Sequence, residues 1–137
     1  MSALVTIYHL AALAAVESGF NDRAVGASGE VSRYQVRPLE WRSIARESKD
    51  YANEWSARIV AFGLLSERAA AFRRREHRAP TDAEMYLLWH RPARVLQPRK
   101  VEAQRAAKFS EKVQWYRRHG LPSEYRGIKR NTNKGTS

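Results

Sequence analysis

The residue whose type and position best suit chemistry is Glu17, a carboxylate at the end of an apolar, alanine-rich segment. Apolar residues recur at helical spacing from Ala3 to Ser18, which predicts a buried helix that ends near this glutamate. A helix C-terminus and an apolar environment both raise the pKa of a carboxyl and keep it protonated. A protonated carboxyl can act as a general acid. A lone glutamate at a helix end is, however, more often an ordinary surface residue.

Two short motifs favour a catalytic role for Glu17 over that of a surface residue. Residues 17–21 read Glu-Ser-Gly-Phe-Asn, and residues 29–38 read Gly-Glu-Val-Ser-Arg-Tyr-Gln-Val-Arg-Pro. Together they resemble the lytic transglycosylase and goose-type lysozyme superfamily. In that superfamily the catalytic glutamate lies in Glu-Ser-Gly-Phe-Asn, and a segment that commonly reads Gly-Ala-x-Gly-Leu-Met-Gln-Leu-Met-Pro follows. The second pattern aligns with residues 29–38 without a gap.

The resemblance implies that Glu17 is the catalytic acid, that Ser18 and Gln35 line the cleft beside it, and that Tyr34 stacks on a sugar. The implied fold is mainly α, of the α+β lysozyme-like type: a helical bundle around a central helix, with a small hairpin or loop lining the active-site cleft. The implied substrate is peptidoglycan, cut at the β-1,4 bond between MurNAc and GlcNAc.

A third family motif, commonly Ala-Tyr-Asn-Ala-Gly-Pro-Gly-Arg-Val, aligns with residues 87–95. The matching residues are Pro92, Arg94 and Val95. Leu88 and Trp89 stand where the family has its Tyr-Asn pair, although Tyr86 lies nearby. Trp89 and His90 are candidates to replace that pair, and Trp89 could equally be a core residue. The resemblance spans residues 4–95 and is strongest up to Pro38.

A second carboxylate would decide between two reactions. Inverting hydrolysis needs a partner roughly 6.5–9.5 Å from the acid. The lytic transglycosylases use a single glutamate, because the C6 hydroxyl of the sugar closes onto the anomeric carbon and leaves a 1,6-anhydro product. Glu30 is the best candidate for the partner, with Asp22 and Glu40 behind it. We favour the single-glutamate reaction modestly and leave both open.

The charge of the chain points to a polyanionic partner. The formal net charge is +11, and residues 98–137 carry +8 of it. Such a field concentrates nucleic acid, anionic membranes or the anionic bacterial wall without choosing among them. The 137 residues are enough for one core. We therefore expect one lysozyme-like domain over residues 1–122 and a flexible basic tail over residues 123–137.

Other classes of site find little support. The chain has no cysteine, and its four histidines lack the close pairing with carboxylates that a zinc protease shows. We expect no cofactor, no metal and a monomer. No basic segment precedes the first apolar run, so we identify no signal peptide, and no run is long enough for a membrane span. The substrate nonetheless implies a secreted, periplasmic or wall-associated protein.

Two further functions compete with the enzyme. One is a glycan-binding module that keeps a lysozyme-like scaffold without turnover, which the altered third motif favours. The other, less favoured, is a nucleic-acid binder that uses the basic last helix and tail. A nucleic-acid-binding function leaves the spacing from Glu17 to Gln35 unexplained.

The remaining helices are predicted from their start and stop signals. Pro38 opens a helix to about Glu47, and a long helix from Asn53 to His77 is expected to be the central scaffold. Thr81 and Glu84 form a capping box for a helix to His90. A last helix runs from Pro98 to about Arg118. The apolar faces of the two longest helices are predicted to include Trp55, Ile59, Phe62, Leu65, Ala69 and Phe72, and Val101, Ala106, Phe109, Val113 and Tyr116.

Overall fold

The structure is a computed structural model, and it describes residues 4–125. The prediction of a mainly helical chain is confirmed. Among the described residues, five α-helices with defined bounds follow one another, with a short 3-10 turn at Pro92–Arg94 before the fifth, and residues 123–125 are also helical. The helices are α1 Ile7–Ser18, α2 Pro38–Ala45, α3 Glu54–Glu76, α4 Asp82–His90 and α5 Lys100–His119.

Local signals in the sequence set most of these bounds. The Thr81 hydroxyl accepts from the backbone N–H of Glu84 at 3.1 Å, and the Glu84 carboxylate accepts from the backbone N–H of Thr81 at 2.9 Å, as a capping box requires. The Asn53 side chain caps α3 by accepting from the backbone N–H of Ser56 at 2.9 Å. Pro38 occupies the first turn of α2, as predicted.

The helix at the centre of the fold is α1 rather than α3. Residues 11–14 are completely buried, and α1 packs against α3, α4 and α5. The small alanine side chains allow this close approach on every side. Glu17 is the penultimate residue of α1, so its backbone belongs to this packed helix.

A small hairpin connects α1 to α2, in the place where the sequence predicts a loop or hairpin. Val31 and Val36 exchange two backbone hydrogen bonds of 2.8 Å, and Val31 also forms an antiparallel bridge with Val25. Ser32 and Gln35 stand inside the turn with φ of 75° and 56°. Both values lie in the left-handed region, which non-glycine residues adopt only where the surroundings impose it.

The predicted apolar face of α3 is wrong in its first half. Trp55, Ile59 and Phe62 are 60%, 52% and 43% exposed, and the buried face of this half is formed by Arg58 and by smaller residues. These smaller residues are Ala57, Val60 and Ala61. Val101 of α5 is likewise exposed. The buried side of α3 is the side that packs against α1, α2 and α4. The large apolar residues at helical spacing therefore predicted the wrong side of this half of the helix.

The predicted boundary of the domain at residue 122 also changes. Tyr125 is fully buried and packs edge-on against Phe20 with ring centroids 6.3 Å apart. The packed part of the chain therefore extends at least to Tyr125. The rest of the predicted tail, residues 126–137, lies outside the described residues.

Two observations bear on the expected partners. Within residues 4–125, every helix is either too short or too polar to cross a bilayer. Among the side chains of residues 4–125, no group of three or more histidines, aspartates or glutamates lies close enough together to hold a metal ion.

Candidate active site

The end of α1 fixes the position of Glu17. Gly19 has a φ of 62°, in the left-handed region, and its backbone N–H donates to the carbonyl of Ala15 at 3.1 Å. The N–H of Phe20 donates to the carbonyl of Ala14, also at 3.1 Å. This is the glycine-terminated ending that stops a helix within one residue. Glu17 thus lies in the last turn, where the helix dipole disfavours a negative charge.

Glu17 opens into a cleft of about 850 Å³. The hairpin, α2, α4, the 3-10 turn and α5 all contribute to its walls. The side chains that line it are Glu17, Glu30, Gln35, Arg37, Leu39, Glu40, Arg68, Trp89, His90, Arg91, Pro92, Ala93, Arg94 and Arg105. The tertiary fold therefore brings together residues that are up to 88 positions apart in the chain.

The Glu17 carboxyl is set up to hold a proton near neutral pH. Burial raises its pKa to about 7, against the opposing effects of the Arg105 guanidinium and the Tyr86 hydroxyl. The neighbouring Glu30 adds a further upward contribution to the pKa. One carboxyl oxygen, Oε1, is buried without a hydrogen-bond partner. An unpartnered oxygen in a dry position is more stable when the group is neutral.

The hairpin is tied to the end of α1 by Ser18. The Ser18 hydroxyl donates to the backbone carbonyl of Arg33 at 2.7 Å and accepts from the backbone N–H of Asn21 at 3.0 Å. The sequence predicts Ser18 as a residue of the cleft wall, whereas the structure places its hydroxyl in a bond between the two motifs. Its observed contacts hold the hairpin beside Glu17.

Gln35 lies in the cleft, as the sequence predicts. Its side-chain amide donates to the backbone carbonyls of Ser32 at 2.9 Å and Ala24 at 3.2 Å, which fixes the orientation of the group. Gly26 packs so closely that a β-carbon there would come within 2.6 Å of the Gln35 side-chain oxygen. Glycine at position 26 therefore makes room for the Gln35 amide in its observed orientation.

The three candidate second carboxylates have different surroundings. Glu30 lines the cleft with Glu17 and accepts a 2.8 Å hydrogen bond from the backbone N–H of Ser28. Glu40 also lines the cleft but is paired with Arg68. Asp22 pairs with the buried Arg33 at 2.6 Å and is not part of the cleft lining. Glu30 is thus the carboxylate that is both in the cleft and free of an ion pair among the described residues.

Tyr34 does not lie where the sequence predicts. It is completely buried, and its hydroxyl forms a short hydrogen bond with the hydroxyl of Tyr125. A side chain with no exposed surface cannot stack on a sugar, so the predicted role of Tyr34 in substrate binding is corrected to a role in the core. Tyr34 lies in the turn of the hairpin, and its side chain is directed inward to Tyr125, while that of the next residue, Gln35, lines the cleft.

The residues near the third motif take separate positions. Tyr86 is buried, and its pKa is raised to about 12 by burial and by the charge of Glu17. Trp89 is 8% exposed, and its indole N–H donates to the backbone carbonyl of Tyr34 at 3.2 Å. His90 lines the cleft and stacks on Tyr86 with ring centroids 5.7 Å apart. Tyr86 is the aromatic residue that meets the carboxyl, while Trp89 contributes one edge to the wall.

One neighbour of Glu17 could not be predicted from the sequence. Arg105 lies in the second turn of α5, and its charge acts on both Glu17 and Tyr86. It lies in a helix with many basic residues, and nothing in its local sequence separates it from the others. Only the packing of α5 against α1 and α4 brings it to the cleft.

No protein-family model, curated protein or solved structure matches this chain.

Proposed function

We propose that this protein is a lysozyme-like glycosidase that cleaves the MurNAc–GlcNAc β-1,4 bond of peptidoglycan, with Glu17 as its general acid. The observation that carries the proposal is the Glu17 carboxyl itself. It lies at the end of a central helix, opens into a cleft, and has a pKa raised to about 7 by burial. A buried carboxyl that keeps its proton at neutral pH suits protonation of a glycosidic oxygen.

The hairpin supports the same proposal. In the gap-free alignment with the family pattern, Gly29 and Ser32 stand at the two glycine positions, and Gln35 stands at the glutamine. Gly29 and Ser32 have φ of 84° and 75°, the left-handed region that glycine favours. The backbone thus has the conformation expected at both positions, although one of them has lost its glycine. Gln35 and Glu17 both line the cleft.

The chemistry begins in the same way for either product. Glu17 donates its proton to the glycosidic oxygen, the bond from that oxygen to the anomeric carbon breaks, and Glu17 is left as a carboxylate. In a transglycosylase the Glu17 carboxylate then takes the proton of the sugar's C6 hydroxyl. The C6 oxygen bonds to the anomeric carbon at the same time, which gives the 1,6-anhydro product. In an inverting hydrolase Glu30 would instead take a proton from the attacking water.

The test is digestion of purified peptidoglycan by the wild-type protein and by Glu17→Gln, with mass spectrometry of the soluble products. Wild-type protein is expected to release muropeptides, and the variant is expected to release none while keeping its helical circular dichroism. Glu111→Gln, an exposed change on α5 outside the cleft, serves as the matched control and should remain active. Full activity of the Glu17 variant would overturn the proposal. Anhydro ends indicate transglycosylation, and reducing ends indicate hydrolysis.

A glycan-binding module without turnover is the second candidate. It is favoured by the replacement of the family's Tyr-Asn pair, because Trp89 is mostly buried and its indole N–H is already bonded to the Tyr34 carbonyl. Retention of the wild-type protein on purified walls, with no muropeptide released over a long incubation, would decide for this candidate.

A further inference from the structure

The cleft contains more positive charge than proton transfer by Glu17 requires. Its lining includes five arginines, whereas its carboxyl groups are those of Glu17, Glu30 and Glu40. With Glu17 protonated, the cations exceed the carboxylates by three. Like charges repel one another strongly in a concave surface, where the low dielectric of the protein focuses their field. A cleft with this charge attracts an anionic ligand.

Two of the five arginines already have partners within the protein. The Arg68 guanidinium pairs with Glu40 and donates to the backbone carbonyls of Leu88 at 3.2 Å and Trp89 at 2.9 Å. Arg91 lies 3.5 Å from the buried carboxylate of Glu102. These two side chains stabilise the walls of the cleft, and their charge is largely compensated.

The other three arginines are compensated less. Arg94 lowers the pKa of Glu102 and Arg105 lowers that of Glu17, in both cases without forming an ion pair. No carboxylate of residues 4–125 forms an ion pair with Arg37, Arg94 or Arg105. They come from three separate parts of the fold, since Arg37 precedes α2, Arg94 ends the 3-10 turn and Arg105 lies in α5. Their convergence on one cleft is therefore a result of the tertiary fold and not of a basic run in the sequence.

We propose that Arg37, Arg94 and Arg105 form an anion subsite beside Glu17, and that this subsite selects glycan strands with free carboxylates. A guanidinium offers two parallel N–H groups, which match the two oxygens of a carboxylate. The inference rests on the proposed function only in taking a glycan as the ligand. Binding at the subsite does not require turnover.

Nucleic acid fits the same cleft less well. A phosphodiester chain carries a charge on every nucleotide, so it would meet the carboxylates of Glu30 and Glu40 as well as the arginines. Single-stranded nucleic acid also needs exposed aromatic faces for its bases. Trp89 is the tryptophan of the cleft lining, and it is only 8% exposed. A glycan whose carboxylates are separated by whole sugar units avoids both difficulties.

The experiment measures binding in the Glu17→Gln background, so that no ligand is consumed. The probes are a GlcNAc–MurNAc tetrasaccharide with free lactyl carboxylates and the same tetrasaccharide with those carboxylates amidated. Isothermal titration calorimetry is expected to give a tenfold or larger loss of affinity on amidation, and a decline with added salt for the free carboxylates only. Equal affinity for the two tetrasaccharides would overturn the proposal.

Variants then assign the effect to the subsite. Arg37→Ala and Arg94→Ala should each weaken binding of the free carboxylate form and leave the amidated form unchanged. Arg118→Ala, an exposed change near the end of α5, is the matched control and should bind as its parent does. An equal loss of affinity in Arg118→Ala would overturn the assignment. Tighter binding of single-stranded DNA than of the free-carboxylate tetrasaccharide, at equal charge, would also overturn it. If a variant fails to fold, the amidation comparison still decides.

The two proposals can fail separately. Absence of wall lysis by the wild-type protein, together with carboxylate-dependent binding, would overturn the glycosidase and keep the anion subsite. Lysis that is lost in Glu17→Gln, together with equal binding of both tetrasaccharides, would keep the glycosidase and overturn the subsite.

Discussion

The hydroxyl of Ser18 donates a hydrogen bond of 2.7 Å to the backbone carbonyl of Arg33, and this bond joins the end of α1 to the hairpin. Glu17 directly precedes Ser18, and Gln35 follows Arg33 by two residues. The relative position of the proposed acid and the glutamine therefore depends on a serine that does not need to touch the substrate.

Replacing Ser18 with Ala should reduce both stability and activity. The change leaves the Arg33 carbonyl without its donor and frees the hairpin, at a cost of about 1 kcal/mol in the free energy of unfolding. Urea unfolding measures the first effect, and release of muropeptides measures the second. Ser43→Ala removes an exposed bond within α2 and should change stability by less than about 0.5 kcal/mol. Equal effects at the two serines would contradict the role given to Ser18.

The pH dependence of activity should follow the Glu17 carboxyl. A general acid works in its protonated form, so wall lysis should fall as the pH rises through about 7. The Arg105 guanidinium lowers the pKa of Glu17, and Arg105→Gln should therefore raise it. The alkaline limb of the kcat profile should move to higher pH in that variant. A limb that stays in place, or moves to lower pH, would exclude this coupling.

Gly26→Ala should disturb the site more than the fold. The new β-carbon would meet the Gln35 side-chain oxygen at 2.6 Å, and the glutamine amide would have to rotate away. Because the contact is with a flexible side chain, we expect a loss of activity of about tenfold, with little change in melting temperature. Val25→Ala, an exposed change at the adjacent residue, is the control. An unaltered rate in Gly26→Ala would show that the orientation of Gln35 is not needed.

The sequence predicts the parts of this site that depend on local signals. The apolar run, Glu17 and Gly19 together predict a buried helix that ends near a carboxylate; the helix ends at Ser18, and the Glu17 side chain there is half-buried. The capping box at Thr81 correctly predicts the start of α4. Gln35 follows from the spacing of the two motifs, and it lies in the cleft. In each case the information lies within a few residues along the chain.

What the sequence does not predict depends on packing between distant segments. Tyr34 looks like a surface aromatic until Tyr125, 91 residues later, covers it and accepts or donates at its hydroxyl. Arg105 cannot be told from other basic residues of α5 until that helix packs beside α1. The predicted apolar face of α3 at Trp55 is wrong for a related reason, because smaller side chains of that helix pack against its neighbours instead.

The pair of Tyr34 and Tyr125 gives a direct test of the revised domain boundary. Tyr125→Ala would empty a fully buried ring site and is expected to cost about 3–5 kcal/mol in the free energy of unfolding. Tyr125→Phe keeps the ring and removes one hydroxyl, so it should cost only about 1 kcal/mol. Chemical denaturation measures both. A negligible effect of Tyr125→Ala would restore the predicted boundary at residue 122.

A buried histidine should make the fold sensitive to acid. His9 is 3% exposed; its Nδ1 accepts from the backbone N–H of Thr6 at 3.0 Å, and its Nε2 lies 2.8 Å from Asp82. With Nδ1 as an acceptor, the ring is neutral and Nε2–H donates to Asp82. Burial lowers the pKa of His9, and this outweighs the opposing effect of the Asp82 carboxylate. Protonation would also remove the bond from Thr6, where α1 begins.

The sign of the pH effect follows from that lowered pKa. The unfolded chain takes up a proton at His9 near pH 6.5, while the folded chain resists it until a lower pH. The free energy of unfolding should therefore decline as the pH falls below about 6.5. His9→Gln should flatten this decline while lowering stability at neutral pH. His119→Gln, an exposed change at the last residue of α5, is the comparison and should leave the acid dependence unchanged. If His9→Gln keeps the full acid dependence measured by urea unfolding at pH 5 and 7, the dependence comes from other groups.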